Sequence, residues 1–103
     1  MLKYVLDKYK NEIISLCLQN KVKSLFAFGS VLTDIFTEHS DIDLVVDIDS
    51  KDPLDYADNY FNLKFGLHDL FKRTIDLLEN KAIKNPYIRQ NIDRSKSLIY
   101  ARQ

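Results

Sequence analysis

The chain has one cysteine, two glycines and two prolines among its 103 residues, and each scarcity carries information. A single cysteine forms no internal disulfide, and Cys17 lies on the apolar face of the first predicted helix, where a buried structural thiol is expected. Gly29 is one of only two glycines, which makes its turn a candidate for close approach of the backbone to a ligand. A structural turn without a ligand is the alternative.

The sequence also has no excess of positive or negative charge and no long apolar run. Fifteen Lys and Arg residues balance fifteen Asp and Glu residues, so the composition indicates no long nucleic-acid substrate. The apolar runs are far too short to span a membrane, and the amphipathic start MLKYVLDKYK lacks the core of a signal peptide. We therefore expect a cytoplasmic protein without membrane association. With 46% hydrophobic residues, the chain is predicted to form a single domain over residues 1–103.

Hydrophobic periodicity predicts an alternation of helices and strands. Helices are expected over about 2–19, 30–36 and 53–70 and after Asn85, and strands over 22–28, 41–48, 73–78 and 97–100. Asp52-Pro53 and Asn85-Pro86 combine an N-cap with a first-turn proline, and the long helix is expected to break or bend near Gly66. This order predicts an α/β (α+β) fold, a small mixed β-sheet with helices packed on it.

Two carboxylates on the second predicted strand form a candidate metal site. Asp41 and Asp43 are two residues apart, so they point to the same face while Ile42 turns into the core. Ionised carboxylates at this range repel each other, and a bound divalent cation relieves that repulsion. Their oxygen atoms favour Mg²⁺ or Mn²⁺. The Gly29-Ser30 turn ends the preceding strand, LFAF, and is expected to face the same site.

Gly29-Ser30, ten further residues and then Asp41-Ile42-Asp43 resemble the signature of the DNA polymerase β-like nucleotidyltransferase superfamily. The chain looks most similar to the smallest branch, the minimal nucleotidyltransferase (MNT) domains. The segment Thr74-Ile75-Asp76-Leu77-Leu78 and the C-terminal stretch NPYIRQNIDRSKSLIYA fall in the family's order, so the resemblance covers most of the chain. It implies the polymerase β-like nucleotidyltransferase fold.

The resemblance also implies an activity, the transfer of a nucleotide from a nucleoside triphosphate, with ATP as substrate and Mg²⁺ (or Mn²⁺) as cofactor. Asp41, Asp43 and Asp76 are the expected metal ligands and catalytic residues, and Asp76 is expected to take the proton of the attacking hydroxyl. Gly29 and Ser30 are the expected nucleotide-binding residues. Asp47 and Asp49 continue the alternation from Asp43, but their distance from Ser30 favours surface roles.

Two departures from the family pattern bear on the partner. Many members carry an Arg and a small residue soon after the Gly-Ser pair, whereas this chain reads VLTDIFTEHS. We also expect no added domain of the kind with which larger members bind the acceptor. Among minimal members the acceptor is commonly a HEPN-type protein, a small helical toxin-like ribonuclease. The resemblance thus implies an antitoxin that binds its partner, transfers AMP onto it, or both. A non-catalytic binding module and a small-molecule transferase with a separate acceptor-binding subunit are the alternatives.

Aromatic residues are concentrated on the long predicted helix. They form a stripe with one leucine, made of Tyr56, Tyr60, Phe61, Phe65, Leu67 and Phe71. A domain this small buries only a limited fraction of its surface, and part of this stripe is expected to be covered by another subunit. We therefore expect a homo-oligomer or hetero-oligomer that leaves the cleft at Asp41 and Asp43 open. His39 and His68 have no metal-ligand spacing and are interpreted as surface or packing residues.

Overall fold

The computed structural model describes residues 6–29 and 41–102. Its helices are α1 (Lys10–Gln19), α2 (Pro53–Phe71) and α3 (Pro86–Ser95), and its strands are β1 (Val22–Phe28), β2 (Ile42–Ile48), β3 (Ile75–Glu79) and β4 (Ser97–Ala101), with a 3₁₀ turn at Asn80–Ala82. Residues 6–8 are also helical. Every predicted helix and strand within these ranges is confirmed. The predicted helix over 30–36, with Ser30 and His39, lies outside the described residues.

Local sequence signals set where α2 and α3 begin. The side chain of Asp52 accepts a hydrogen bond of 3.0 Å from the backbone N–H of Leu54, and Pro53 occupies the first turn. Asn85 likewise accepts from the backbone N–H of Tyr87 at 2.9 Å, again with a proline in the first turn. Both predicted caps are therefore confirmed, because each supplies an acceptor to an amide that has no partner within the helix.

The four strands form one mixed sheet in the order β3-β2-β1-β4. β1 pairs antiparallel with both β2 and β4, whereas β2 and β3 run parallel. The long helix α2 connects the parallel pair, as a parallel connection requires. The sheet with its helices confirms the predicted fold class.

The main core lies between one face of the sheet and helices α1 and α2. Its buried residues alternate along β2 and recur on the helices, and they include Ile42, Leu44, Val46, Ile48, Ile13, Cys17, Leu63 and Leu67. Asp43, Val45 and Asp47 occupy the alternate positions and face the other side. There, Ile92 of α3 and Val45 line one cavity. Across the described residues, no helix is long and apolar enough to span a bilayer.

Gly66 does not break α2, so the break expected there is wrong. The helix continues from Pro53 to Phe71 and ends where Lys72 adopts φ +56° and its N–H donates to the carbonyl of His68. A Cβ at Gly66 would lie 2.6 Å from Cδ2 of Leu16, so the glycine lets α1 approach α2 closely. Its function is contact between the two helices, which a propensity argument does not detect.

The predicted aromatic stripe of α2 divides between two faces. Tyr56, Tyr60 and Phe71 pack against the main core, and Leu67 is buried within it. Phe61 and Phe65 instead remain 48% and 60% exposed, with their rings stacked at 6.0 Å between centroids. Core and surface roles therefore belong to different members of the stripe.

Candidate active site

Strand register brings three of the predicted site residues together at one end of the sheet. β2 and β3 run parallel with Asp43 opposite Asp76, and β1 runs antiparallel to β2 with Phe28 opposite Asp43. Gly29 follows Phe28 directly, so the turn after β1 reaches the carboxylate of Asp43. Gly29, Asp43 and Asp76 come from separate segments, and their convergence is a result of the fold.

The backbone of Gly29 lies against the Asp43 side chain. Its φ of +75° is in the left-handed region, which other residues rarely adopt. A Cβ at this position would lie only 2.8 Å from Oδ2 of Asp43. Both features favour glycine, and both hold without any ligand. The contact with a triphosphate stays a prediction.

Asp43 lies in an environment that disfavours its ionised form. Burial raises the pKa of its carboxyl group, and the charges of Asp76 and Asp41 and a hydrogen bond with Asp76 raise that pKa further. Asp76 and Asp41 are both exposed, whereas Asp43 is half-buried. The site therefore concentrates negative charge that a proton or a cation would relieve.

The donor set fits a hard divalent cation that is shared with a nucleotide. In residues 6–29 and 41–102, no three His, Cys, Asp or Glu side chains form a metal site by themselves. Mg²⁺ is commonly held by one or two carboxylates together with substrate phosphates, so two facing carboxylates suffice on the protein side. Asp43 and Asp76 meet that requirement, and the charge of Asp41 acts on the same carboxyl group.

The acidic residues further along β2 and in the following turn differ in their partners. Asp47 is largely covered, and its Oδ1 lies 3.8 Å from Nζ of Lys81 without accepting a hydrogen bond, so the surface role expected for Asp47 is wrong. Asp49 is exposed and accepts a hydrogen bond of 2.8 Å from Arg102. This hydrogen bond and the Arg102 charge lower the pKa of Asp49, which is the opposite of the shift at Asp43. The interpretation of Asp49 as a surface residue is thus confirmed, and the same alternation in sequence gives two different environments.

A cavity of about 80 Å³ lies on the same sheet face as Asp43, a feature that the sequence reasoning missed. Its polar lining comes from Ser24, Asn80, Arg89 and Lys96, and its apolar wall includes Val45, two residues beyond Asp43. Arg89 already donates to Asn80 at 2.7 Å, and Lys96 lies 3.3 Å from Asp93. In the sequence, the available signal was the spacing of Arg89 and Ile92, which lie three residues apart and therefore on one side of α3.

Cys17 and His68 have the structural roles that were expected. Cys17 is fully buried, and burial raises the pKa of its thiol to about 12, so the reactive thiolate is disfavoured. Nδ1 of His68 lies 2.7 Å from the carbonyl oxygen of Arg73, at the C-terminal end of α2. Neither side chain belongs to the candidate site.

Residues 11–103 match the protein family described as Polymerase beta, Nucleotidyltransferase. The chain belongs to this nucleotidyltransferase family. Within the part of the chain that the structure describes, the match covers the sheet and helices α1 to α3 apart from Lys10, so it includes the segments that carry Gly29, Asp43 and Asp76. The resemblance inferred from the Gly-Ser and Asp-Ile-Asp spacing is confirmed, and with it the enzyme class.

Relatives from Methanocaldococcus jannaschii are similar over most of the chain. "Putative protein adenylyltransferase MJ0128" is 42% identical over 80 residues, which are 78% of this chain and 76% of the relative. "Putative protein adenylyltransferase MJ0126" is 34% identical over 99 residues, which are 96% of this chain and 93% of the relative. The chain's relatives therefore include proteins that are named as adenylyltransferases acting on protein.

Solved structures share the fold. A "putative minimal nucleotidyltransferase" superposes with a TM-score of 0.74 at 24% identity, covering 93% of each chain. A toxin-antitoxin structure with AMP-PNP gives 0.68 at 22% identity, covering 90% of this chain and 73% of the other. A third, from a complex of a tri-AMPylated Shewanella oneidensis HEPN toxin with MNT antitoxin, gives 0.63 at 21%, covering 100% and 75%. The minimal nucleotidyltransferase fold is thus confirmed.

Proposed function

We propose that this chain transfers AMP from ATP to a hydroxyl group of a partner protein, with Mg²⁺ or Mn²⁺ as cofactor. The observation that carries the proposal is the convergence of Gly29, Asp43 and Asp76, which joins a close backbone turn to a pair of facing carboxylates. Membership of the nucleotidyltransferase family supports the reaction type, and the names of the M. jannaschii relatives support a protein acceptor.

The carboxylates would act together with the substrate phosphates. Asp43 and Asp76, assisted by Asp41, would hold the metal ion against the triphosphate. When bound, such an ion neutralises phosphate charge and lowers the pKa of the attacking hydroxyl. The backbone of Gly29, beside Oδ2 of Asp43, would let the triphosphate approach closely, and the predicted contact of Ser30 would add a hydroxyl donor.

The proposed reaction is one in-line displacement. The acceptor oxygen forms a bond to the α-phosphorus while the bond from that phosphorus to the pyrophosphate oxygen breaks. Asp76 takes the hydroxyl proton directly or through a water molecule, and pyrophosphate leaves. The exposure of Asp76 suits this role, because an acceptor side chain must reach it from solvent.

A HEPN-type protein is the proposed acceptor and partner. Three of the solved structures that share the fold come from toxin-antitoxin complexes, and one of them contains a tri-AMPylated HEPN toxin. The chain would then act as the antitoxin. A binding module that neutralises its partner without catalysis, and a small-molecule transferase, remain the competing functions.

The test compares three forms of the chain with its HEPN-type partner in the presence of ATP and Mg²⁺. Asp76→Asn should slow AMP transfer by about two orders of magnitude or more, because the attacking hydroxyl loses its proton acceptor. Asp49→Asn is the matched control, since it removes a carboxylate near the opposite end of β2 that is paired with Arg102, and it should leave the rate unchanged. Mass spectrometry of the partner measures the added nucleotide.

Absence of any added nucleotide with the parent chain would remove the protein-acceptor proposal. Partner binding that survives in that case would establish the non-catalytic module. Equal rates for Asp76→Asn and the parent would show that AMP is transferred without the proton acceptor assigned here.

A further inference from the structure

The exposed side of α2 carries a regular seam. Leu54, Asp58, Phe61, Phe65 and His68 follow one another at intervals of four, three, four and three residues, and all five are exposed. Lys72, also exposed, follows the C-terminal end of the helix. This is the spacing with which a helix presents one narrow face to a second helix. The buried residues of α2, among them Leu63 and Leu67, lie on the opposite side and pack into the chain's own core.

The centre of the seam is apolar. Phe61 and Phe65 stack with their ring planes 24° apart, while Leu54 near the N-terminal end is 79% exposed. Other large exposed apolar residues, such as Leu18 and Leu98, lie on different elements. A regular row of apolar side chains on one helix favours a protein contact over scattered surface residues.

We propose that α2 pairs antiparallel with α2 of a second copy of this chain. In that arrangement a two-fold axis passes at the level of Leu63. A residue that precedes position 63 therefore faces the residue that follows position 63 by the same number of positions in the second copy. Phe61 then faces Phe65 of the second copy. Asp58 faces His68, and Leu54 lies beside the C-terminal end of the other helix, which Lys72 follows. The two central layers, Phe61 with Phe65 and Asp58 with His68, are chemically matched.

Charge complementarity selects the second copy and the antiparallel direction. Nδ1 of His68 is engaged with the carbonyl of Arg73, so in the imidazolium form Nε2 is available to donate to Asp58 of the other copy. A parallel pair would instead place Asp58 opposite Asp58, which repel, and would leave each His68 without a carboxylate partner. The antiparallel pair contains each attractive contact twice, as a two-fold interface requires.

The interface is small and lies away from the catalytic face. One 19-residue helix face buries an area near the low end of specific interfaces, so a dissociation constant on the order of micromolar is expected. The core between α2 and the sheet separates this interface from Asp43, which faces the other side of β2. The pairing is independent of AMP transfer, and both sites of the dimer stay accessible.

The test is sedimentation velocity at chain concentrations from about 0.2 to about 100 µM, which bracket a micromolar constant. The parent should pass from monomer to dimer. Phe65→Ser should remain monomeric throughout. Leu18→Ser is the matched control, because Leu18 is 64% exposed on α1 outside the seam, and it should dimerise like the parent.

A charge exchange tests the direction of pairing. Asp58→Arg and His68→Asp should each weaken dimerisation by about fivefold or more, since each disrupts two symmetry-related contacts. The double variant again sets opposite charges against each other in both of these contacts, so it should recover the parent affinity or exceed it. A parent that stays monomeric, a dimer unaffected by Phe65→Ser, or a double variant without recovery would each overturn the proposal. The proposal would also be overturned if the parent chain were monomeric and Phe65→Ser weakened only its binding to a different protein.

Discussion

At the scale of single residues, the site rests on an unfavourable contact that the fold enforces. Asp43 is half-buried, faces Asp76 across the parallel pair and touches the backbone of Gly29. A chain selected only for stability would not keep two carboxylates opposite each other, because their repulsion opposes folding. Such an arrangement is typical of functional sites. Asp49, six residues along, has an arginine partner and the opposite pKa shift.

Asp43→Asn should stabilise the metal-free protein near neutral pH. The pKa of Asp43 is raised in the folded state, so its destabilising effect is complete above the folded pKa and disappears below the ordinary carboxyl value. The gain should be on the order of 0.5 kcal/mol, because exposure screens the repulsion, and it should raise the melting temperature by about 2–4 °C. Thermal unfolding of parent and variant between about pH 7 and pH 4 measures it.

The gain should shrink as the pH falls towards 4, because protonation then removes the repulsion in the parent as well. Asp49→Asn is the control with the opposite sign, since it loses a partner that lowers the pKa of Asp49. A gain from Asp43→Asn that is the same at every pH would mean that charge repulsion is not its cause.

At the scale of helices and strands, sequence patterns predict where elements lie better than how they pair. The caps at Asp52 and Asn85 place both helix starts, because their cause is local. The register that sets Asp43 opposite Asp76 needs β2 and β3 to be parallel, and the same apolar pattern is compatible with other strand orders. The position of β4 beside β1 depends on the same tertiary choice.

Gly66 and the aromatic residues show the same limit on α2. Glycine lowers helix propensity, so the sequence predicts a break in α2 at Gly66. In the structure, the close contact with Leu16 explains why a glycine occupies this position. Aromatic residues occur on several sides of the helix, so periodicity does not separate Tyr60, which packs on the core, from Phe65, which is exposed. Residues of the candidate site were predictable because their chemistry is marked in sequence, whereas the cavity beside Arg89 requires the folded sheet and α3.

A double-mutant cycle tests the role of Gly66. In the parent, Gly66→Ala should change stability little, because a helix-propensity gain of about 1 kcal/mol is offset by displacement of Leu16. In a Leu16→Ala background the same change should stabilise by about 0.5–1 kcal/mol, since the obstructing side chain is gone. Urea unfolding of the four proteins measures the coupling. An identical effect of Gly66→Ala in both backgrounds would contradict the helix-contact explanation.

At the scale of the whole molecule, the two faces of the sheet have different tasks. One face packs against α1 and α2 and supports the seam on the outer side of α2. The other face presents Asp43 and Asp76 at one end and is partly covered by α3 near Val45. Assembly and chemistry can therefore proceed on opposite sides of a chain of 103 residues, and an acceptor protein can reach the carboxylates.

The most direct test of the account is a calorimetric titration of the chain with ATP in the presence and absence of Mg²⁺. If Asp43 helps to hold a metal ion against the triphosphate, ATP should bind at least about tenfold more tightly with Mg²⁺, and Asp43→Asn should remove that difference because an amide does not neutralise the cation. Asp49→Asn should retain it. Equal affinity of the parent chain for ATP with and without Mg²⁺ would contradict the proposed site.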